Sequence, residues 1–211
     1  MKFSGLIDAA TVELVPAGGA AGFVVEAPDS PCNLSVEAAA RLAELLPSEA
    51  EVWAVSRDPS PDLIHRLFDE VGVDRIQVFG RVPAGLEFLE THHIVPNVPI
   101  PSEPGAAGLP KVPPPEEHPI LHLDAPGDPL PLGSPQRANW EVCRLLVDAH
   151  PGRKMVLSGG LDAGNIGEAL LTVRPWGVDV SAGVEGSPGQ KDPTKIAAFV
   201  AAVLASESSL S

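Results

Sequence analysis

Short runs rich in Val, Ile and Phe alternate with segments of helical period along the 211 residues, and this alternation constrains the fold most. Runs of that length separated by helix-sized segments are the pattern of βα units around a parallel sheet. Eight occur, at 2–6, 21–26, 51–56, 75–79, 93–98, 119–124, 154–158 and 177–181. Eight units predict a single (β/α)8 barrel over 1–211, because neither half alone holds enough strands to bury a parallel sheet. Ser60 and Pro61 open one helix, which carries Leu63, Ile64, Leu67, Phe68 and Val71 on one face and stops at Gly72. Ile196, Phe199, Val200, Val203 and Leu204 stripe the last helix, which should pack against the first and eighth strands. The segment 101–117 is rich in proline and has no helical stripe, so a loop is expected in place of helix 5.

Charge narrows the partners. A net charge of −14 with no Lys or Arg run repels nucleic acid and anionic membranes. Cys32 and Cys143 are the two cysteines, and no histidine cluster has metal-ligand spacing, so neither a disulfide framework nor a metal site is expected. The N-terminal residues lack the pattern of an export signal, and no apolar run reaches spanning length. A cytoplasmic protein, monomer or homodimer, is expected.

An acidic chain that binds an anion must use local backbone amides. Ser158, Gly159, Gly160 and Leu161 follow strand seven, and Ser181, Ala182, Gly183, Val184 and Glu185 follow strand eight. Loops after those strands often hold phosphate in such barrels, and glycine lets backbone N–H groups come close. A short helix after Gly183 would direct its positive end at the same anion. A phosphorylated small molecule is therefore the expected ligand. His92 and His93 are adjacent and would face opposite ways on a strand, His122 reads as a packed or hydrogen-bonded histidine, and Trp140 reads as core.

Lys2-Phe3-Ser4-Gly5-Leu6, Gly22-Phe23-Val24, Gln77-Val78-Phe79-Gly80, Leu123-Asp124-Ala125, Leu157-Ser158-Gly159-Gly160-Leu161 and Val178-Asp179-Val180-Ser181-Ala182-Gly183-Val184-Glu185 run in this order, followed by Ser187-Pro188-Gly189 and Lys191-Asp192. Their order and spacing resemble the phosphoribosylanthranilate isomerase family over nearly the whole chain, most strongly over 157–192 and least over 81–117. The resemblance implies an Amadori rearrangement of phosphoribosylanthranilate in tryptophan biosynthesis, with no metal or organic cofactor. It implies Asp124 as the general acid that opens the furanose ring. It implies Gly159, Gly160, Asp179, Ser181, Ala182 and Gly183 as phosphate- and substrate-binding residues.

The same resemblance marks three departures. Ser4 stands where the family has its base cysteine, and an unassisted hydroxyl is a very poor base. Cys32 stands at the arginine that faces the anthranilate carboxylate, and Phe79 at a histidine. Glu26, at the end of strand two, is the candidate substitute base. Two functions remain open on these residues. One is the isomerase, with weakened proton abstraction, and the other is a lapsed paralogue that binds a phosphorylated metabolite or a partner protein.

Overall fold

The computed structural model describes residues 1–86, 88–101, 109–126 and 136–210, with side chains to residue 206. Eight parallel strands form the barrel: β1 Lys2–Ser4, β2 Ala20–Val25, β3 Glu51–Arg57, β4 Arg75–Phe79, β5 Ile94–Pro99, β6 Ile120–Asp124, β7 Lys154–Leu157 and β8 Gly177–Val180. Neighbours pair in sequence order, and β1 closes the ring by pairing with both β2 and β8. A two-residue strand, Asn33–Leu34, adds to β2.

The strand period of two sorts each strand's side chains between two cores. Outward residues such as Phe3, Ala21, Phe23, Ala54, Ile76, Leu121, Leu157 and Val178 join the large cluster under the helices. Inward residues stack in layers. Ala20, Trp53, Val95, Ile120 and Val156 fill the amino-terminal end, and Lys2, Gln77, His122 and Asp179, all buried, make a polar middle. Val24, Ala27, Cys32, Val55 and Phe79 line the carboxyl-terminal mouth.

The helical layer comprises α1 Ala9–Val12, α2 Val36–Ala43, α3 Pro61–Arg66, α4 Trp140–Ala149, α5 Ile166–Val173 and α6 Pro193–Leu210. Ser60 caps α3 by accepting from the Leu63 amide at 3.1 Å. A π-turn, Leu67–Val71, continues α3 until Gly72 takes a left-handed φ of 71°. On α6, Ile196, Phe199 and Val203 are buried, and Phe199 meets Phe3 of β1 edge to face at 6.0 Å. This contact seals the wall where the first strand meets the last helix.

The expected proline-rich loop lies partly outside the described residues. Its described part, 109–117, carries no helix, and Arg153 ties down the approach to β6 by donating to the carbonyls of Pro113 and His118. The crossover before it is also reduced: among the described residues between β4 and β5 the one helical element is a 3-10 turn, Thr91–His93. Among the described residues no helix is long and apolar enough to cross a membrane.

Candidate active site

The carboxyl ends of β6, β7, β8 and β1 converge on one side of the mouth. A pocket there is lined by Asp124, Ser158, Gly159, Gly160, Leu161, Asp179, Ser181, Ala182 and Gly183. Gly159 and Gly160 have φ of 85° and 63°, a region that disfavours any side chain. A Cβ on Gly159 would stand 2.9 Å from Asp124 Oδ1, and one on Gly160 would stand 2.8 Å from Arg137 Cα. Gly183 meets the β7 loop still more closely, since its Cβ would stand 1.8 Å from the Leu161 carbonyl oxygen. The two turns are thus interlocked through positions with no room for a side chain. The short helix expected after Gly183 is a 3-10 turn over Ala182–Val184 that includes that glycine.

Asp124, the last residue of β6, opens onto this pocket, and its Oδ1 accepts from the Ala125 amide at 2.8 Å. Burial is the main cause that lifts its carboxyl to about 6, with nearby Asp179 adding to the rise and His122 and Lys2 opposing it. A carboxyl so raised holds a proton in a useful fraction of molecules near neutrality.

Below the pocket lies a network that the sequence reading missed in part. Register pairs Lys2 of β1 with Asp179 of β8. Lys2 Nζ donates to Asp179 Oδ2 at 2.6 Å, Gln77 Oε1 at 2.7 Å and Ser4 Oγ at 2.5 Å, which uses all three of its N–H groups. The Ser4 hydroxyl is directed at the Asp179 carboxylate, 2.8 Å from Oδ1 and 2.9 Å from Oδ2. His122 Nε2 lies 2.9 Å from Asp179 Oδ2, and its Nδ1 lies 3.0 Å from Gln77 Nε2. Gln77 Oε1 is occupied by Lys2, so its amide nitrogen faces His122 Nδ1, which also lies 3.0 Å from Asn97 Oδ1.

Burial acts to raise Asp179, but the Lys2 charge and the His122 hydrogen bond outweigh it and hold the carboxyl at about 2. Burial also pulls Lys2 below its ordinary value, against the raising effect of Asp179. Asp179, expected as a substrate- or phosphate-binding residue, lines the pocket while committing both oxygens to Lys2, Ser4 and His122. His122 is hydrogen-bonded and fully buried, as read from sequence. The missed Lys2 and Gln77 had a signal: each is a polar residue at an inward position of an otherwise apolar strand.

Cys32 is buried among Val24, Ala27, Val55 and Phe79, and burial pushes its thiol up while Lys191 works against that. Glu26 is placed elsewhere than expected. Its φ of 51° breaks the strand alternation, and its exposed carboxylate faces outward, 3.6 Å from Arg66 Nη1 on α3. The substitute-base role therefore finds no support in its position. Among the described residues no group of three or more His, Cys, Asp or Glu is placed to hold a metal ion.

Residues 2–202 match the model of the N-(5'-phosphoribosyl)anthranilate (PRA) isomerase family. The chain belongs to this family. It is 36% identical over 214 residues to N-(5'-phosphoribosyl)anthranilate isomerase of Azorhizobium caulinodans, covering 98% of this chain and 92% of that one. Its fold is similar to phosphoribosyl anthranilate isomerase of Thermus thermophilus, with a TM-score of 0.76 and 26% identity over 97% of this chain and 98% of that one. It is also similar to a phosphoribosyl anthranilate isomerase in complex with reduced 1-(o-carboxyphenylamino)-1-deoxyribulose 5-phosphate, with a TM-score of 0.72, 25% identity and 97% coverage of each chain. The isomerase family and the barrel inferred from sequence are therefore both established.

Proposed function

We propose that this chain isomerises N-(5'-phosphoribosyl)anthranilate to the corresponding 1-amino-1-deoxyribulose phosphate, as a step of tryptophan biosynthesis. The observation that carries this reading is one pocket that joins Asp124, lifted to about 6, to Asp179 and the two interlocked glycine turns. The turns at Gly159-Gly160 and Ala182-Gly183 hold the phosphate through backbone N–H groups. Asp124 donates a proton to the furanose ring oxygen, and the ring opens to a protonated Schiff base.

Proton abstraction then follows the hydrogen bonds below the pocket. Ser4 Oγ takes the proton from C2′ while its own hydroxyl proton passes to Asp179, 2.8 Å away. Ser4 is thus a relay, with Asp179 the final acceptor, and the resulting enolamine tautomerises to the ketone. Lys2 is excluded as the acceptor, because its three N–H groups are all donated and no lone pair is left. A carboxylate held near 2 is a weak base, so this relay is slower than a thiolate would be.

The test is turnover of phosphoribosylanthranilate by the purified chain, beside complementation of a tryptophan auxotroph lacking this isomerase. Turnover with restored growth is expected. A chain that binds phosphate but neither turns substrate over nor restores growth would be a lapsed paralogue.

A further inference from the structure

The far end of the barrel, at the amino ends of the strands, holds a cavity that the isomerase reading leaves unused. Its volume is about 170 Å³, and Lys2, Ala20, Trp53, Val156, Trp176 and Val178 help to wall it. It shares Met1, Trp176, Gly177 and Val178 with a second hollow of about 260 Å³. Trp53 is buried, and its indole N–H donates to Glu51 Oε2 at 2.7 Å, which fixes the floor. Trp176, just before β8, is 52% exposed. An apolar cavity of about 150 Å³ is enough to take one aromatic ring.

The charges around the cavity select what that ring carries. Both indoles already have cations over them: Lys2 Nζ and the Arg75 guanidinium carbon stand 5.3 and 5.4 Å from the Trp53 ring centroid, and Lys154 Nζ stands 4.8 Å from that of Trp176. A cationic ligand would meet like charge at each ring. Most of these cations are spent. Lys2 donates all three of its N–H groups inside the barrel, Arg75 is paired with Glu51, and Arg174 of the second hollow is paired with Asp148 at 3.0 Å. Lys154 differs. Its ammonium makes no hydrogen bond or ion pair among the described residues, and it stands over the ring that lines both hollows. In a chain of net charge −14, an ammonium beside an apolar cavity and without a carboxylate partner is matched to an anion brought by a ligand.

We propose that this cavity is a second small-molecule site, one that takes a single-ring aromatic carboxylate. The ring packs against Trp53 and Trp176, and the carboxylate accepts from the Lys154 ammonium. Trp53 is held in place before the ligand arrives, while Trp176 gains cover from it. Neither Lys154 nor Trp176 lines the pocket at the mouth, so this site stands apart from the isomerase reading.

Calorimetric titration of the whole chain tests this without turnover. The probes are benzoate, benzyl alcohol and benzylamine, with inorganic phosphate as the report on the mouth. Wild type should bind benzoate at roughly millimolar affinity, about 10-fold tighter than benzyl alcohol, the range of a charge-assisted hydrogen bond, and benzylamine should bind weakest. Lys154→Gln should bind benzoate and benzyl alcohol alike, and Trp176→Ala should weaken both by about 10-fold or more. Both side chains are exposed, so each variant should keep the wild-type affinity for phosphate. Absence of saturable benzoate binding, a benzoate preference unchanged in Lys154→Gln, or a preference for benzylamine would each overturn the proposal. A loss of phosphate affinity in step with benzoate affinity would do so too, by making these residues supports of the barrel floor. So would a wild-type dimer, seen by sedimentation, that Trp176→Ala dissociates, because a second copy would then cover this face.

Discussion

Ser4 and Asp179, 175 residues apart in sequence, meet where the first strand closes against the last, with the hydroxyl of one directed at the carboxylate of the other at 2.8 Å. A relay through this pair predicts that either member is indispensable. Ser4→Ala removes the relay and Asp179→Asn removes the acceptor, and each should lower kcat by roughly 10²- to 10⁴-fold, the usual contribution of a positioned base. KM should change far less, since the phosphate turns are untouched. Steady-state kinetics of the two variants decide it, and a Ser4→Ala enzyme with wild-type kcat would remove the relay.

Asp124 gives a pH dependence with a definite sign. Its folded carboxyl sits at about 6 against an ordinary 3.8, so the folded state binds the proton more tightly than the unfolded chain does. Stability is therefore lost as pH rises from about 4 through 6, on the order of 2 kcal/mol once the water reaching the pocket is allowed for. Asp124→Asn should be more stable than wild type at pH 7 to 8 and match it near pH 4, as urea melts at the two pH values would show. The same proton serves catalysis, so kcat/KM should fall on the alkaline side of about 6, and Asp124→Asn should lose roughly 10²- to 10⁴-fold.

How much of this was legible in the sequence follows from the range of each interaction. Strands show through because inward and outward positions alternate within five or six residues, and the α3 cap shows because Ser60, Pro61 and Leu63 are neighbours. The glycine turns show because glycine is the residue that tolerates φ of 85° or a carbonyl at 1.8 Å. The Lys2–Asp179 pair does not show, because barrel closure alone brings positions 2 and 179 together. Glu26 misled because a single left-handed residue at the strand end turns its carboxylate toward Arg66.

The interlocked turns predict a loss confined to phosphate. Gly183→Ala would drive a methyl into the Leu161 carbonyl, so the β8 loop must move away from the β7 loop. Phosphate affinity and substrate KM should worsen together by about 10-fold or more, with a stability cost of roughly 1–3 kcal/mol. Crystals soaked in phosphate should show the anion between these turns in wild type and a displaced or missing anion in Gly183→Ala. An anion found elsewhere, with the turns empty, would refute the cup.

Gly22 predicts the complementary defect. A Cβ there would stand 2.6 Å from Ser4 Oγ and 3.1 Å from both Lys2 Cε and Lys2 Nζ. Gly22→Ala should tilt the hydroxyl off Asp179, so that kcat falls while phosphate affinity is kept, at about 1–3 kcal/mol of stability. Unchanged kcat in a folded Gly22→Ala protein would mean that the Ser4–Asp179 alignment is not used.

Replacing the relay by a true base is the strongest test of the proton path. Ser4→Cys puts a thiol, ordinarily near 8.5, beside the Lys2 ammonium, which favours the thiolate, and beside Asp179, which opposes it. A thiolate accepts the C2′ proton itself, so turnover should rise by roughly 10²-fold at pH 8, and a new limb should climb toward alkaline pH as the thiol ionises. The two acceptors should then be non-additive. Asp179→Asn, severe in wild type, should cost much less in the Ser4→Cys background, because the proton no longer has to be passed on. Equal cost in both backgrounds would mean that Asp179 serves the site in some way other than as acceptor. A wild type that is already fast, with kcat indifferent to Ser4→Cys, would mean that Ser4 is not on the proton path.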